Sequence, residues 1–519
     1  MSRVRAAVTL VILTGLLATT PVVANAGPPA HVAEGRHRRA EVAFDRAVAL
    51  FGGAAVPGPR DATLVLLDLA RAVPDLPPAK ARVARALLAR PTDGGGDPFG
   101  DGYTVAAEHL CGADVCVHWV ESTPDAVPLA DDDLNDTPDY VDTAIAVLED
   151  VWSFEVEQLG YRAPLGDSTS PDPGPGSELD VYLADVGADG FYGYCASDDP
   201  NATDPGYEYY DVSMYCVLDD DFGKAQFPGV YGTQALKVTA AHEFFHAVQA
   251  AYDAWEDPWL SEGTASWIED ELYDTINDNR QYLVRSPLSR PWVPTDRGAG
   301  GHEYGAWIFW RFLSESFNRS IVRDIWEYAD GSASGPDKDS LRATRLAVED
   351  RGRVFSSTFG DFGAWNAWPA ARYEEGNAYA GPPHAARWGV TAANGGVPWT
   401  DLTLDHLTNR DVRFTPAKGV RSTAKLRVVV DGPSAAAGPA ATVVIRSTSG
   451  VVKHVVVPLD AKGRGSRRVS FGKGVVAWAD LVLTNASTRT RCWQGTRFSC
   501  QGDPRDDDVT FRYGAVLIP

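Results

Sequence analysis

Several things are missing from this 519-residue chain. It has no surplus of positive charge, no apolar run long enough to span a bilayer, no C-x-x-C pair and no long internal repeat. With 47 lysines and arginines against 70 acidic residues, and a net charge of −23, it repels nucleic acid and anionic lipid alike. Its one long apolar run, Ala6 to Leu17, is about 12 residues, too few to cross a membrane. That run follows Arg3 and Arg5 and precedes Ala24-Asn25-Ala26, which predicts a signal peptide over 1–26. A secreted, extracellular protein without membrane insertion is expected. The absence of C-x-x-C argues against a cysteine zinc cluster. The six cysteines fall in sequence-local pairs, Cys111 with Cys116, Cys195 with Cys216 and Cys492 with Cys500. An even count in an exported chain predicts disulfides, with nearest neighbours the favoured pairing among those that six cysteines allow.

The length implies two or three domains. A hydrophobic content of 44% with 23% charged residues is that of a globular protein. The acidity is concentrated: from Asp101 to Arg280 there are 39 acidic residues and only four basic ones, Arg162, Lys224, Lys237 and Arg280. Such an excess belongs to a solvated face or to bound cations. Four regions follow. Residues 27–100 show helical spacing over Ala40–Phe51, Ala62–Val73 and Ala79–Ala89 and end in the Gly/Pro/Asp-rich stretch from Pro91 to Pro98. They are a propeptide or an N-terminal subdomain. Residues 101–398 mix short strands (Val115–Val120, Leu179–Ala184, Val212–Leu218) with acidic loops, then turn mainly helical. Residues 399–519 hold β-rich runs split by Gly, Pro, Asn and Ser, which predicts a small antiparallel β-sandwich. The fold class expected is α+β.

Chemistry is concentrated at His242-Glu243-Phe244-Phe245-His246. The surrounding Gln234–Asp253 lacks Gly and Pro, is Ala-rich and is a credible helix with Thr233 as its N-cap. On a helix, residues i and i+4 share a face, so both imidazoles reach one ion. Glu243 stands about 100° away and can hold a water on that ion. Zinc lowers the pKa of such a water towards neutrality and a carboxylate then takes its proton. With ten histidines in the chain, the pattern arises by chance on the order of 1% of the time, which favours a real site. Catalytic zinc wants a third protein ligand and an open position. Gln249 and Tyr252 occupy the places where the longer H-E-x-x-H-x-x-G-x-x-H motif needs Gly and His, so the third ligand should be an acidic residue on the next helix. That helix starts at Asp257-Pro258. It carries Glu262, beside Gly263, which permits close packing on the zinc helix, and Glu269 two turns on, suited to steady a ligand histidine. Glu269 and Glu256 are the alternatives to Glu262 as ligand.

The sequences HEFFH and WLSEGTASWIE together resemble the gluzincins of the peptidase MA superfamily of zinc metallopeptidases. The stretch from VTAAHEFFH to WIEDELYD is most similar to secreted bacterial metalloproteases of a mostly uncharacterised group. The resemblance is close over about 231–315. It implies a zincin-like catalytic domain, a small mixed sheet with the HExxH helix and a helical lobe, ahead of the sandwich. It also implies a protein or peptide substrate, His242, His246 and Glu262 as zinc ligands, and Glu243 as general base and acid. Such enzymes add a hydrogen-bond donor for the oxyanion. Gly301-His302-Glu303-Tyr304-Gly305 opens an apolar helix downstream, with Tyr304 the favoured donor and His302 the second. The Gly-x-Met-x-Asn box of the aminopeptidase branch is absent, which tilts the expectation to an endopeptidase.

A second cation is expected at 131–142. Asp131, Asp133, Asn135, Thr137, Asp139 and Asp142 place oxygen at positions 1, 3, 5, 7, 9 and 12 of an EF-hand-like calcium rhythm. Asp136 stands where Gly is usual, and Asp tolerates the left-handed conformation. The rival function is a non-catalytic secreted zinc- or calcium-binding adhesion or substrate-binding protein on the same scaffold.

Overall fold

A computed structural model describes residues 30–52, 62–92, 102–199, 210–330 and 338–519, with side chains from 36 onward. The signal-peptide expectation over 1–26 lies outside these residues. Among them, no helix is long and apolar enough to cross a membrane. All three expected disulfides are present: Cys111–Cys116, Cys195–Cys216 and Cys492–Cys500. Disulfides and the lack of a spanning helix are compatible with an extracellular protein.

The chain is a mixed α+β protein. Helices α1 (Ala30–Phe51), α2 (Thr63–Ala72) and α3 (Pro78–Leu87) come first. A five-stranded sheet follows, built from β1 (Glu108–Cys111), β2 (Val115–Trp119), β3 (Leu179–Ala184), β4 (Gly193–Ala196) and β5 (Tyr215–Asp219). Its order is β1-β2-β3-β5-β4. The β2, β3 and β5 strands are parallel, while β1 and β4 run antiparallel at the two edges. The central strands are buried along their whole length, as strands covered on both faces must be. One face carries Val117, Val181, Leu183 and Leu218 against α4 (Asp139–Trp152) and α5 (Thr233–Ala250). The other carries Tyr182, Tyr194, Tyr215 and Val217 against the N-terminal helices.

Beyond the sheet, α6 (Pro258–Leu272), α7 (His302–Gly305), α8 (Trp307–Ser316), α9 (Ser320–Ala329), α10 (Ser340–Asp350) and α11 (Phe355–Asn366) build a helical lobe. The Trp- and Phe-rich sequence supplies its core, with Trp259, Trp267, Trp307, Trp310 and Trp326 fully buried.

The C-terminal part is two facing sheets. One is ordered β11-β10-β13-β8-β6 and the other β12-β9-β16-β7, using β6 (Ala386–Val390), β7 (Gly396–Leu404), β8 (Thr408–Pro416), β9 (Lys425–Asp431), β10 (Pro439–Ser447), β11 (Val452–Val456), β12 (Arg464–Ser470), β13 (Val476–Asn485) and β16 (Val509–Ile518). The short pair β14 (Thr490–Arg491) and β15 (Asp503–Pro504) stands apart. All contacts are antiparallel except β6 on β8. The first strand of the sandwich thus comes from ahead of residue 399.

One local expectation, Thr233 as the N-cap of α5, needs correction. Thr233 is the first helical residue of α5, and Gly232, at φ 59°, takes the cap position. Asp257 stands at the cap of α6 but makes no side-chain bond to that helix. Its Oδ2 instead accepts from Ser340 Oγ at 2.5 Å and from the Cys500 N–H at 2.8 Å. The cap carboxylate is spent on joining the helical lobe to the disulfide loop of the C-terminal part.

His406, between β7 and β8, is the other fastener. Its Nε2 lies 2.9 Å from Asp296 of the lobe and its Nδ1 lies 2.6 Å from Asp507. Burial opposes the charge, yet the two carboxylates outweigh it and raise the imidazole pKa to about 10. A raised pKa stabilises the fold fully below the unfolded value near 6.5 and loses that effect as pH climbs through 10. Thermal melting should therefore fall between about pH 6 and pH 10. His406→Gln should lower the melting temperature at the acid end and shrink the difference, as scanning calorimetry at the two pH values would read.

Candidate active site

Helix α5 is Ala-rich and lies between the sheet and the lobe, so nearly every residue from Ala235 to Ala250 is buried. A helix apolar all round belongs in such a place. Its polar residues include His242, Glu243, His246 and Gln249, all under 10% exposed. Buried polar groups need partners, and α6 supplies most of them.

His242 Nε2 and His246 Nε2 lie 3.5 Å and 3.7 Å from the same atom, Glu262 Oε2. The three donors fall within 4.8 Å of one another. Glu262 Oε2 is buried and accepts no hydrogen bond from the described residues. An uncompensated buried carboxylate oxygen facing two ring nitrogens is a donor set suited to one metal ion.

The opposite edge of each imidazole is tied down. His242 Nδ1 is 2.7 Å from Glu269 Oε1. His246 Nδ1 is 2.8 Å from Gln249 Oε1, and Gln249 Nε2 donates to Ser261 O at 2.9 Å and to Thr264 Oγ1 at 3.2 Å. Because the Gln249 amide nitrogen faces a carbonyl, its oxygen must accept from His246. The Nδ1–H tautomer follows, which turns the Nε2 lone pair towards Glu262. Glu269 is fully buried; desolvation raises its pKa to about 7 against the pull of His242.

Gln249 is the residue that sequence reasoning passed over. It registered only as the wrong amino acid for a longer motif, although a side-chain amide three residues after a histidine on one helix is within reach of that ring. Gly263 also has a different neighbour from the one expected. A Cβ there would lie 2.4 Å from Trp310 Nε1 and 3.3 Å from Glu303 O. It allows α6 to close on α7 and α8, not on α5.

Glu243 faces a cavity of about 300 Å³ whose wall also includes Tyr192, Gly193, His242, Tyr282 and Tyr304. Gly193 is required there, since a Cβ would come within 2.8 Å of the Val217 carbonyl oxygen, and it would also press on Glu243 Cγ at 3.1 Å. Tyr304 stacks at 6.2 Å on the His242 ring and at 5.0 Å on Tyr282. His302 points elsewhere: its Nδ1 is bonded to the Arg285 carbonyl, and burial lowers its pKa to about 4. Glu256 bonds the Asp257 N–H next to it at 3.0 Å.

The 131–142 loop gathers the carboxylates of Asp131, Asp133 and Asp139 within 4.8 Å. Asn135 N–H donates to Asp131 at 3.1 Å, Thr137 N–H to Asn135 at 2.8 Å, and Asn135 Nδ2 to Asp142 at 3.0 Å. Asp136 adopts φ 67°, the left-handed conformation that glycine would take.

No family model and no curated protein matches the chain. Among solved structures, it is similar to the pre-peptidase C-terminal domain of a collagenase from Bacillus anthracis, at 11% identity over 26% of this chain and 97% of that one, with a TM-score of 0.15. It is also similar to a family GH115 4-O-methyl-α-glucuronidase, at 11% identity over 55% of this chain and 38% of that one, with a TM-score of 0.14. Likenesses this faint carry no argument about the site.

Gly263→Ala should cost about 1–3 kcal/mol of stability, because Trp310 has to leave its bond to Trp259 O. Urea denaturation of the variant would measure it.

Proposed function

We propose that the protein is a secreted zinc-dependent metallopeptidase of gluzincin type, most simply an endopeptidase. The observation that carries this is the convergence of His242 Nε2, His246 Nε2 and Glu262 Oε2 around one point, beside Glu243. These three side chains would hold the metal. Zinc, when bound there, supplies a Lewis acid that acidifies water and polarises a peptide carbonyl.

The chain's own residues do the rest. Glu243 accepts a proton from the attacking water as its oxygen bonds to the carbonyl carbon. It then delivers that proton to the amide nitrogen as the C–N bond breaks. Tyr304 lines the same cavity and is the donor read as facing the oxygen on which negative charge develops. Glu269 and Gln249 hold the imidazoles in the tautomer that ligation needs. The substrate is a polypeptide lying extended beside the outer edge of β4, since Gly193 and Tyr192 of that edge border the cavity. Calcium at the 131–142 loop belongs to the same reading.

Glu243→Gln should keep one zinc per chain and lose casein cleavage by about 10²–10⁴-fold. A chelator should abolish the wild-type activity and zinc should restore it. Bound zinc with no cleavage of a broad peptide library would favour a binding protein instead. Gln249→Ala should weaken zinc by about 10–100-fold in competition with a chromophoric chelator, with the fold intact by circular dichroism.

A further inference from the structure

The N-terminal helices do more than cover the sheet. Thr63, the first residue of α2, reaches round the edge of β4 to the site. Its Oγ1 donates to Glu243 Oε2 at 3.1 Å and accepts from the Cys195 N–H at 2.9 Å. Thr63 is 0% exposed. Cys195 faces Cys216 with a Cα–Cα distance of 4.0 Å, the mark of a pair that exchanges no backbone hydrogen bonds. The Cys195 N–H therefore points away from β5, out of the sheet, where an added strand would look for a donor.

We propose that residues 62–92 are an intramolecular inhibitor, in which the Thr63 hydroxyl occupies both the general base and the β4 edge, so that the segment must leave before a peptide can bind. The inference rests on the metallopeptidase reading. A hydroxyl that merely steadied Glu243 would have no need to take the strand's outward donor as well. Here one hydroxyl takes both, and α2 lies where an extended substrate would run.

The segment is anchored firmly enough to hold that position. Leu66 and Leu69 of α2 are fully buried, and Trp255 Nε1 donates to Leu67 O at 3.3 Å. At the far end, Tyr215 OH bonds Leu88 O and Ala89 O at 3.2 Å and 2.9 Å. Arg90, 2% exposed, enters a pocket of carboxylates and meets Asp180 at 2.5 Å, Asp167 at 2.6 Å and Asp198 at 3.1 Å. A buried arginine shared among three acids from the sheet region is strongly held. Displacement by substrate alone is thus disfavoured and removal of the segment is the expected release.

The test uses the full chain with a cleavage sequence for a specific protease placed between Thr92 and Gly102, loaded with zinc. One sample stays uncut; the other is cut and its N-terminal fragment separated. A third protein is uncut Thr63→Val. Binding of a tripeptide hydroxamate is read by calorimetry and casein cleavage by initial rate. Cutting and separation should tighten hydroxamate binding at least about tenfold, and the fragment added back should reverse it. Thr63→Val should tighten binding severalfold while the protein still melts cooperatively, at a somewhat lower temperature because the buried Cys195 N–H loses its acceptor. Unchanged or weaker binding in both altered proteins overturns the proposal. If the separated body unfolds, Thr63→Val decides alone. Tighter binding with no cleavage by any form upholds the inhibitor and defeats the peptidase reading. No hydroxamate binding by any form overturns both.

Discussion

The structure depends on holding two imidazole rings, one helical turn apart, so that both Nε2 atoms meet a single carboxylate oxygen. Each ring needs its other nitrogen fixed, and the two fixings come from different directions: Glu269 from α6 and Gln249 from α5 itself. Neither works unless α5 and α6 lie against one another, because Gln249 is oriented in turn by Ser261 and Thr264 of α6. The burial of α5 and the tryptophan-lined lobe serve that approach, while the glycine at 263 lets α6 close on α7 and α8. Packing around it decides whether the donors converge or miss, since protein interiors deform little.

Buried ionic and polar contacts fasten the joints of this acidic chain and the inside of its lobe. Arg90 joins the N-terminal segment to the sheet region. His406 and Asp257 join the lobe to the C-terminal part. Arg311 meets Glu271, Glu315 and Glu374 inside the lobe. A buried charge is a poor source of net stability, but breaking one partner leaves the other stranded at a high cost. The arrangement therefore specifies which surfaces meet more than it adds to the stability of any one of them. The same logic applies at Thr63, where a single hydroxyl settles which segment lies on the edge of β4.

Much of the site was legible along the chain, because its geometry is local. The i, i+4 spacing of His242 and His246 sets both on one face whatever surrounds the helix. Glu262 and Glu269, seven residues apart, share a face of α6 for the same reason. The strand runs near 115–120 and 179–184, the helices of 62–89 and the three short-range cysteine pairs are likewise dictated by neighbours in sequence. Tertiary structure alone decided the rest. Thr63 meets Glu243 across 180 residues, and nothing in the periodicity of α2 marks that hydroxyl. Strand β4 is only four residues long, too short for alternation to register. Gly263 admits Trp310, 47 positions downstream by number, and Asp257 serves Cys500 in place of its own helix. Local spacing sets which side chains can share a face. Which faces then meet is settled by packing between segments far apart in the chain, and that has no local signature.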